Sequence, residues 1–174
     1  MKKFFAIILT LALVLSMAAC GGNTPTETEA PVVAWEGTME ELLNKIVEQN
    51  PVEFMGGTIP VDLADPDSLY YFTGLESADS ISEVSVFEPM MGSIAFSMVA
   101  VRVNAGNGTK TVAEAMKSGI DTRKWICVEA DDLLVAGYGD VVLLIMVASD
   151  SGMTAQSFVD AFATVTGGTP EFTI

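Results

Sequence analysis

Apolar positions change their spacing several times along this chain, and the changes mark out its elements. Phe4 to Leu15 is an apolar run behind Lys2 and Lys3. Gly21 to about Glu36 has no apolar period and is rich in Gly, Thr, Pro and Glu, the composition of a linker. Met39, Leu42, Leu43, Ile46 and Val47 then fall at i, i+3, i+4, i+7 and i+8, one apolar face of a helix. Thr38-Met39-Glu40-Glu41 ahead of it is a capping box, with Thr38 as cap and Glu41 reaching back. Pro51 stops this helix, because the residue before a proline is pushed out of helical geometry. Gly56-Gly57 to Asp62 reads as loop or short strand. Asp65-Pro66 starts a short helix, with Asp65 as cap and Pro66 at the first helical position, that runs through Phe72 and stops at Gly74.

From Ile81 the period becomes two. Val84 and Val86 alternate with Ser85, and Pro89 ends the run. Ser93 to Val103 is almost wholly apolar, as in a strand covered on both faces, and the short connection predicts an antiparallel pair. Thr111-Val112-Ala113-Glu114 reads as a second capping box, opening a helix whose face is Val112, Ala115, Met116 and Ile120. Three further strands follow: Trp125 to Val128, Leu133 to Ala136 and Val141 to Val147. The last is the strongest strand in the chain and the expected centre of the sheet, entered through a hairpin at Gly137-Tyr138-Gly139-Asp140. Thr154 caps a final helix with Ala155, Phe158, Val159, Phe162 and Val165 on its apolar face, ended by Gly167-Gly168. This order predicts an α+β fold: a single, mostly antiparallel sheet of about five strands with helices mainly on one face.

The first twenty residues carry a different message. A basic head, an apolar segment shorter than the roughly 20 residues of a membrane span, and small residues before a cut site describe an export signal. Ser16-Met17-Ala18-Ala19-Cys20 resembles the lipobox of bacterial lipoproteins, with Met17 where the usual pattern has Leu. The resemblance implies that Cys20 receives diacylglycerol and becomes the mature N-terminus. The expected organisation is a signal peptide over 1–20, a flexible tether over 21–36 and one domain over 37–174. As a flexible coil the tether would hold the domain roughly 20–25 Å from the membrane. The expected location is the outer face of the cell membrane, held by lipid on Cys20.

Cleavage sharpens the charge. Taking Lys2 and Lys3 from the eight basic residues leaves six against 23 acidic ones, a formal charge of −17 over about 155 residues. Such a surface repels nucleic acid and anionic headgroups, so no nucleic-acid partner is expected. The chain has no histidine, which removes the commonest general base, the commonest zinc ligand and any Ser-His-Asp arrangement. With Cys20 committed to lipid, Cys127 stands alone and no intramolecular disulfide can form.

Few residues suggest chemistry. Cys127, in an expected strand between Ile126 and Val128, reads as buried and inert. Asp62, Asp65 and Asp67, and Glu129, Asp131 and Asp132, are oxygen-rich groups of the kind that hold calcium, but neither matches an EF-hand loop, and capping and turn roles account for them. No metal, cofactor or catalytic residue is expected. Met90-Met91 lies in a turn and is expected to pack on a neighbouring helix; an exposed apolar tip there would instead offer a contact point. Asn107-Gly108-Thr109 fits a glycosylation sequon but carries no information in a bacterial lipoprotein.

Several motifs together resemble a known group. They are the lipobox and Thr/Pro/Glu tether, Ile81-Ser82-Glu83-Val84-Ser85-Val86, a capped helix, Asp121-Thr122-Arg123-Lys124-Trp125 and the Gly-Asp-Val-Val-Leu-Leu strand. Over about Ile81 to Phe162 the chain resembles small lipoproteins of Gram-positive anaerobes grouped as domain of unknown function 4358. That resemblance implies a location and a fold class and transfers no catalytic residue; Arg123-Lys124-Trp125-Ile126-Cys127 is its most distinctive stretch and has no assigned role. The expected function is a membrane-tethered, non-catalytic module that binds an unknown protein or envelope partner. The alternative is an enzyme acting on envelope polymers through carboxylates.

Overall fold

Alternate residues of the two central strands enter two separate apolar cores, and this fixes the layering of the molecule. The computed structural model describes residues 34–174. Its elements are α1 (Met39–Gln49), β1 (Gly56–Pro60), α2 (Pro66–Thr73), β2 (Ile81–Pro89), β3 (Phe96–Val103), α3 (Thr109–Gly119), β4 (Asp132–Tyr138), β5 (Val141–Val147), α4 (Ala155–Thr166) and β6 (Phe172–Thr173), with a short 3-10 turn at Ser149–Ser151. One antiparallel sheet of six strands runs in the order β1-β2-β3-β5-β4-β6. The fold is α+β, as expected, with one strand more than the sequence suggested.

The helices are not gathered on one face. Met98 and Ala100 of β3, with Leu143 and Ile145 of β5, pack under α1 and α4. Val99 and Val101, with Val142 and Leu144, pack under α2 and α3. The reason is visible in β5, buried at every residue: a strand apolar on both faces needs a cover on both. Each such buried Val or Leu contributes roughly 1.5–3 kcal/mol relative to exposure. The α2 and α3 cover is tight, because a side chain at Gly119 would collide with the Gly74 carbonyl.

Local signals set most boundaries. Thr38 and Glu41 form the capping box of α1. Asp65 caps α2, Pro66 opens it and Gly74 closes it in the left-handed region. Thr154 caps α4 and Gly167 closes it in the same way. The second capping box does not form: α3 begins three residues early, at Thr109, with Gly108 as a cap lacking any side-chain bond. Two short strands, β1 and β6, flank the sheet, whereas Trp125–Val128 forms no strand. Residues 120–131 instead make a loop closed by Ala130 N donating to Thr122 O (2.9 Å). Four apolar letters are too few to separate strand from loop by period. The signal peptide, Cys20 and most of the tether lie outside the described residues. Among the described residues no helix is long and apolar enough to cross a membrane.

Candidate functional site

The register places Gly57, Glu88, Ser97, Met146 and Leu133 in one row across the sheet, on the α2/α3 face near one end. Lys124 comes down onto this row from the 120–131 loop. Its side chain is 2% exposed, and Nζ sits 2.6 Å from Glu88 Oε1. That contact lies outside hydrogen-bond angles, so the attraction is charge on charge. Nζ donates instead to Ser97 Oγ at 3.2 Å. The rings of Tyr71, Phe72 and Trp125 stand 4.7, 5.1 and 5.4 Å from the ammonium, within cation–π reach. Burial pulls the Lys124 ammonium below its ordinary pKa, an effect the charge of Glu88 partly offsets. Burial, then the charges of Glu88 and Asp121, push the Tyr71 phenol up.

A lysine 3.2 Å from a serine is the spacing of a nucleophile and its base. Here Ser97 is completely buried and the lysine is held by a carboxylate, so the pair faces no open surface. Lys124 works as a buried peg that pins its loop to the sheet. Sequence pattern hides this role, since a lysine beside an apolar run reads as a solvated strand end. The one available signal was Glu88 and Lys124 as charged residues next to strongly apolar segments.

Pinning Lys124 turns its neighbours outward. Ile126 is 80% exposed, and Cys127 is exposed with φ of 64°, an uncommon conformation for a residue other than glycine. The expectation of a buried strand cysteine is therefore overturned: the loop spends its burial on Lys124. Met90 and Met91 also point outward, at 74% and 59% exposure, where packing on a helix was expected. Met90 N donates to Met55 O, and Met55 is 78% exposed. Met55, Met90 and Met91 thus form an exposed apolar tip at one end of the sheet.

The acidic groups do not converge. Asp62 accepts from Ala64 N, Asp65 caps α2, Asp131 accepts from Ser149 N and Oγ, and Asp132 accepts from Ala155 N at the start of α4. Glu129 pairs with Arg123 on the surface, and Asp67 joins none of these contacts as an acceptor. Hydrogen bonds from Ser68 and Ser149 hold the Asp65 and Asp131 carboxyls below the usual range. Among the described residues no three Asp, Glu or Cys side chains come together as a metal site.

At the other end of the sheet Arg102 gathers the start of the domain. It donates to Glu83 Oε2 (3.3 Å), Asp140 Oδ2 (2.7 Å), Trp35 O (3.0 Å) and Gly37 O (2.5 Å). Glu83 in turn accepts from Met39 N (2.8 Å) at the head of α1. The chain therefore enters the domain here, away from the methionine tip.

Comparison of the chain with family models, with curated proteins and with solved structures returned no match.

Proposed function

We propose that this protein is a non-catalytic binding module, held at the outer face of the cell membrane by lipid on Cys20, with its exposed apolar end as the contact surface. The observation that carries this is the arrangement of Met55, Met90 and Met91. Three large apolar side chains are exposed at the end of the sheet opposite Trp35, where the chain enters the domain. Exposed apolar clusters of this kind mark interaction sites, and unbranched methionine adapts to a partner's surface. The motif resemblance to the lipoproteins of domain of unknown function 4358 belongs to this proposal and adds the same location.

Two measurements test it. Labelled palmitate is expected in the wild-type protein and lost in Cys20→Ala; equal labelling of the two would refute the anchor. Photocrosslinkers placed at Met90 or Met91 on intact cells are expected to trap a discrete adduct. A Met90 adduct that persists in equal yield when Met55 and Met91 become Glu would refute the contact surface. The carboxylate-enzyme alternative gains nothing from the dispersed acidic groups described above.

A further inference from the structure

β1 is a free edge of the sheet, and its backbone groups can be assigned. Met90 N donates to Met55 O (2.9 Å) and Val61 N to Val84 O (3.0 Å). Within the antiparallel register, Met55, Gly57, Ile59 and Val61 therefore turn their backbone groups to β2, and Gly56, Thr58 and Pro60 turn theirs outward. Pro60 sits where its missing N–H costs the ladder nothing. The edge thus presents the N–H groups of Gly56 and Thr58 and the carbonyls of all three outward residues. The opposite edge is shorter: β6 is two residues long, and Ile174 and Val135 exchange both backbone bonds beside it.

β1 carries none of the charges that usually blunt an edge. Its two sides differ. On the α2/α3 side Ile59 is 53% exposed, Met55 lies on the same side beyond Gly57, and the space above Gly57 is open. On the α1 side Thr58 Oγ1 donates to Asn44 Oδ1 (2.7 Å). Exposed Glu40 and Glu48 lie one turn to either side of Asn44, and with Glu41 they outnumber Lys45 on that helix surface. Glu53 and Asp62 bracket the strand in sequence.

We infer that the β1 edge is a docking site for an extended polypeptide segment that alternates basic and apolar residues. This rests on the reading of the protein as a binding module and names the chemistry of a partner. An added strand would bond to Gly56 and Thr58, lay its apolar side chains on Met55 and Ile59, and turn its basic side chains to the acidic surface of α1. A second copy of the chain fits poorly, because the formal charge of −15 is shared by both partners.

The test uses the full chain in detergent micelles and two synthetic peptides of equal composition. One alternates lysine with valine; the other holds the same residues in separate blocks. The alternating peptide is expected to bind at least tenfold more tightly and to slow hydrogen exchange at the Gly56 and Thr58 amides. Thr58→Pro removes an outward donor without touching the ladder, so it is expected to weaken binding at least tenfold, with Thr58→Ala within twofold of wild type. Equal binding of the two peptides, protection elsewhere than β1, or binding unaffected by Thr58→Pro would each overturn the inference. Exchange protection in the wild-type protein decides the matter even if a variant fails to fold. A dimer abolished by Thr58→Pro would assign the edge to a second copy and equally overturn it. Peptide failure with intact Met90 crosslinks would defeat the edge site alone; peptide binding without those crosslinks would defeat the tip surface alone.

Discussion

Lys124 and Arg102 fasten opposite ends of the same sheet, and they do so by different physics. Each touches β3, Lys124 through Ser97 and Arg102 as a strand residue, about 17 Å of extended chain apart. Lys124 is a point charge sunk among rings with one carboxylate beside it. Arg102 is a partly exposed fork whose donors reach two carboxylates and two backbone carbonyls. The lysine holds a loop that leaves Ile126 and Cys127 in solvent; the arginine closes the entry of the chain and, through Glu83, the head of α1. A buried point charge tolerates no loss of its partner, whereas a fork spreads its role over several contacts.

The largest effect should come from removing the peg. Lys124→Ala leaves Glu88 unpaired beside the core and is expected to cost about 3 kcal/mol, read from denaturant unfolding. Lys124→Met together with Glu88→Leu should recover to within about 1 kcal/mol of wild type, because a packed apolar pair replaces a buried ionic one without desolvation. A Lys124→Ala protein as stable as wild type would remove the distinction between the two ends.

Arg102→Met comes next. Its ion pairs are partly solvated, so the expected loss is about 1–2 kcal/mol, smaller at high salt. Amide exchange should rise at the head of α1, starting at Met39, while the 120–131 loop keeps its protection. Uniform loosening of both ends would show that the fasteners are coupled.

Acid should weaken the Lys124 end by a smaller amount. Asp65 and Asp131 titrate below their ordinary value of 3.8, because Ser68 and Ser149 bond to the charged forms. A carboxyl with a lowered folded-state pKa adds stability that is present above 3.8 and lost as pH falls through the lowered value. Thermal scans should show the midpoint falling below that pH, with a shallower fall in Asp131→Asn; identical slopes would dismiss this role for Asp131. The smallest effect is chemical. Bulky maleimides should label Cys127 rapidly in the folded protein, with a change in stability within about 0.5 kcal/mol, as expected of an exposed surface residue. Slow labelling that tracks global unfolding would mean that the loop buries its cysteine after all.

Much of the fold was readable because its signals are local. Thr38 with Glu41, Asp65 with Pro66 and Gly74, and Thr154 with Gly167 each place a helix end using a few neighbouring residues. The two-sided apolar character of β3 and β5 is equally plain in the sequence, and it is what requires helices on both faces. Trp125–Val128 misled because a short apolar run carries no period of its own, and what is buried there is the lysine in front of it. β1, with two glycines and a proline in five residues, forms only because β2 offers it a partner.

By itself the sequence determined the class of fold, most helix ends, the central strand and the absence of histidine, since each depends on residues adjacent in the chain or on composition alone. Which side chains share a row, which cation is buried, which methionines remain outside and which edge stays open were decided by the tertiary structure. Those outcomes depend on pairing between segments far apart in sequence, as where Lys124 is buried while Ile126 and Cys127 stay in solvent.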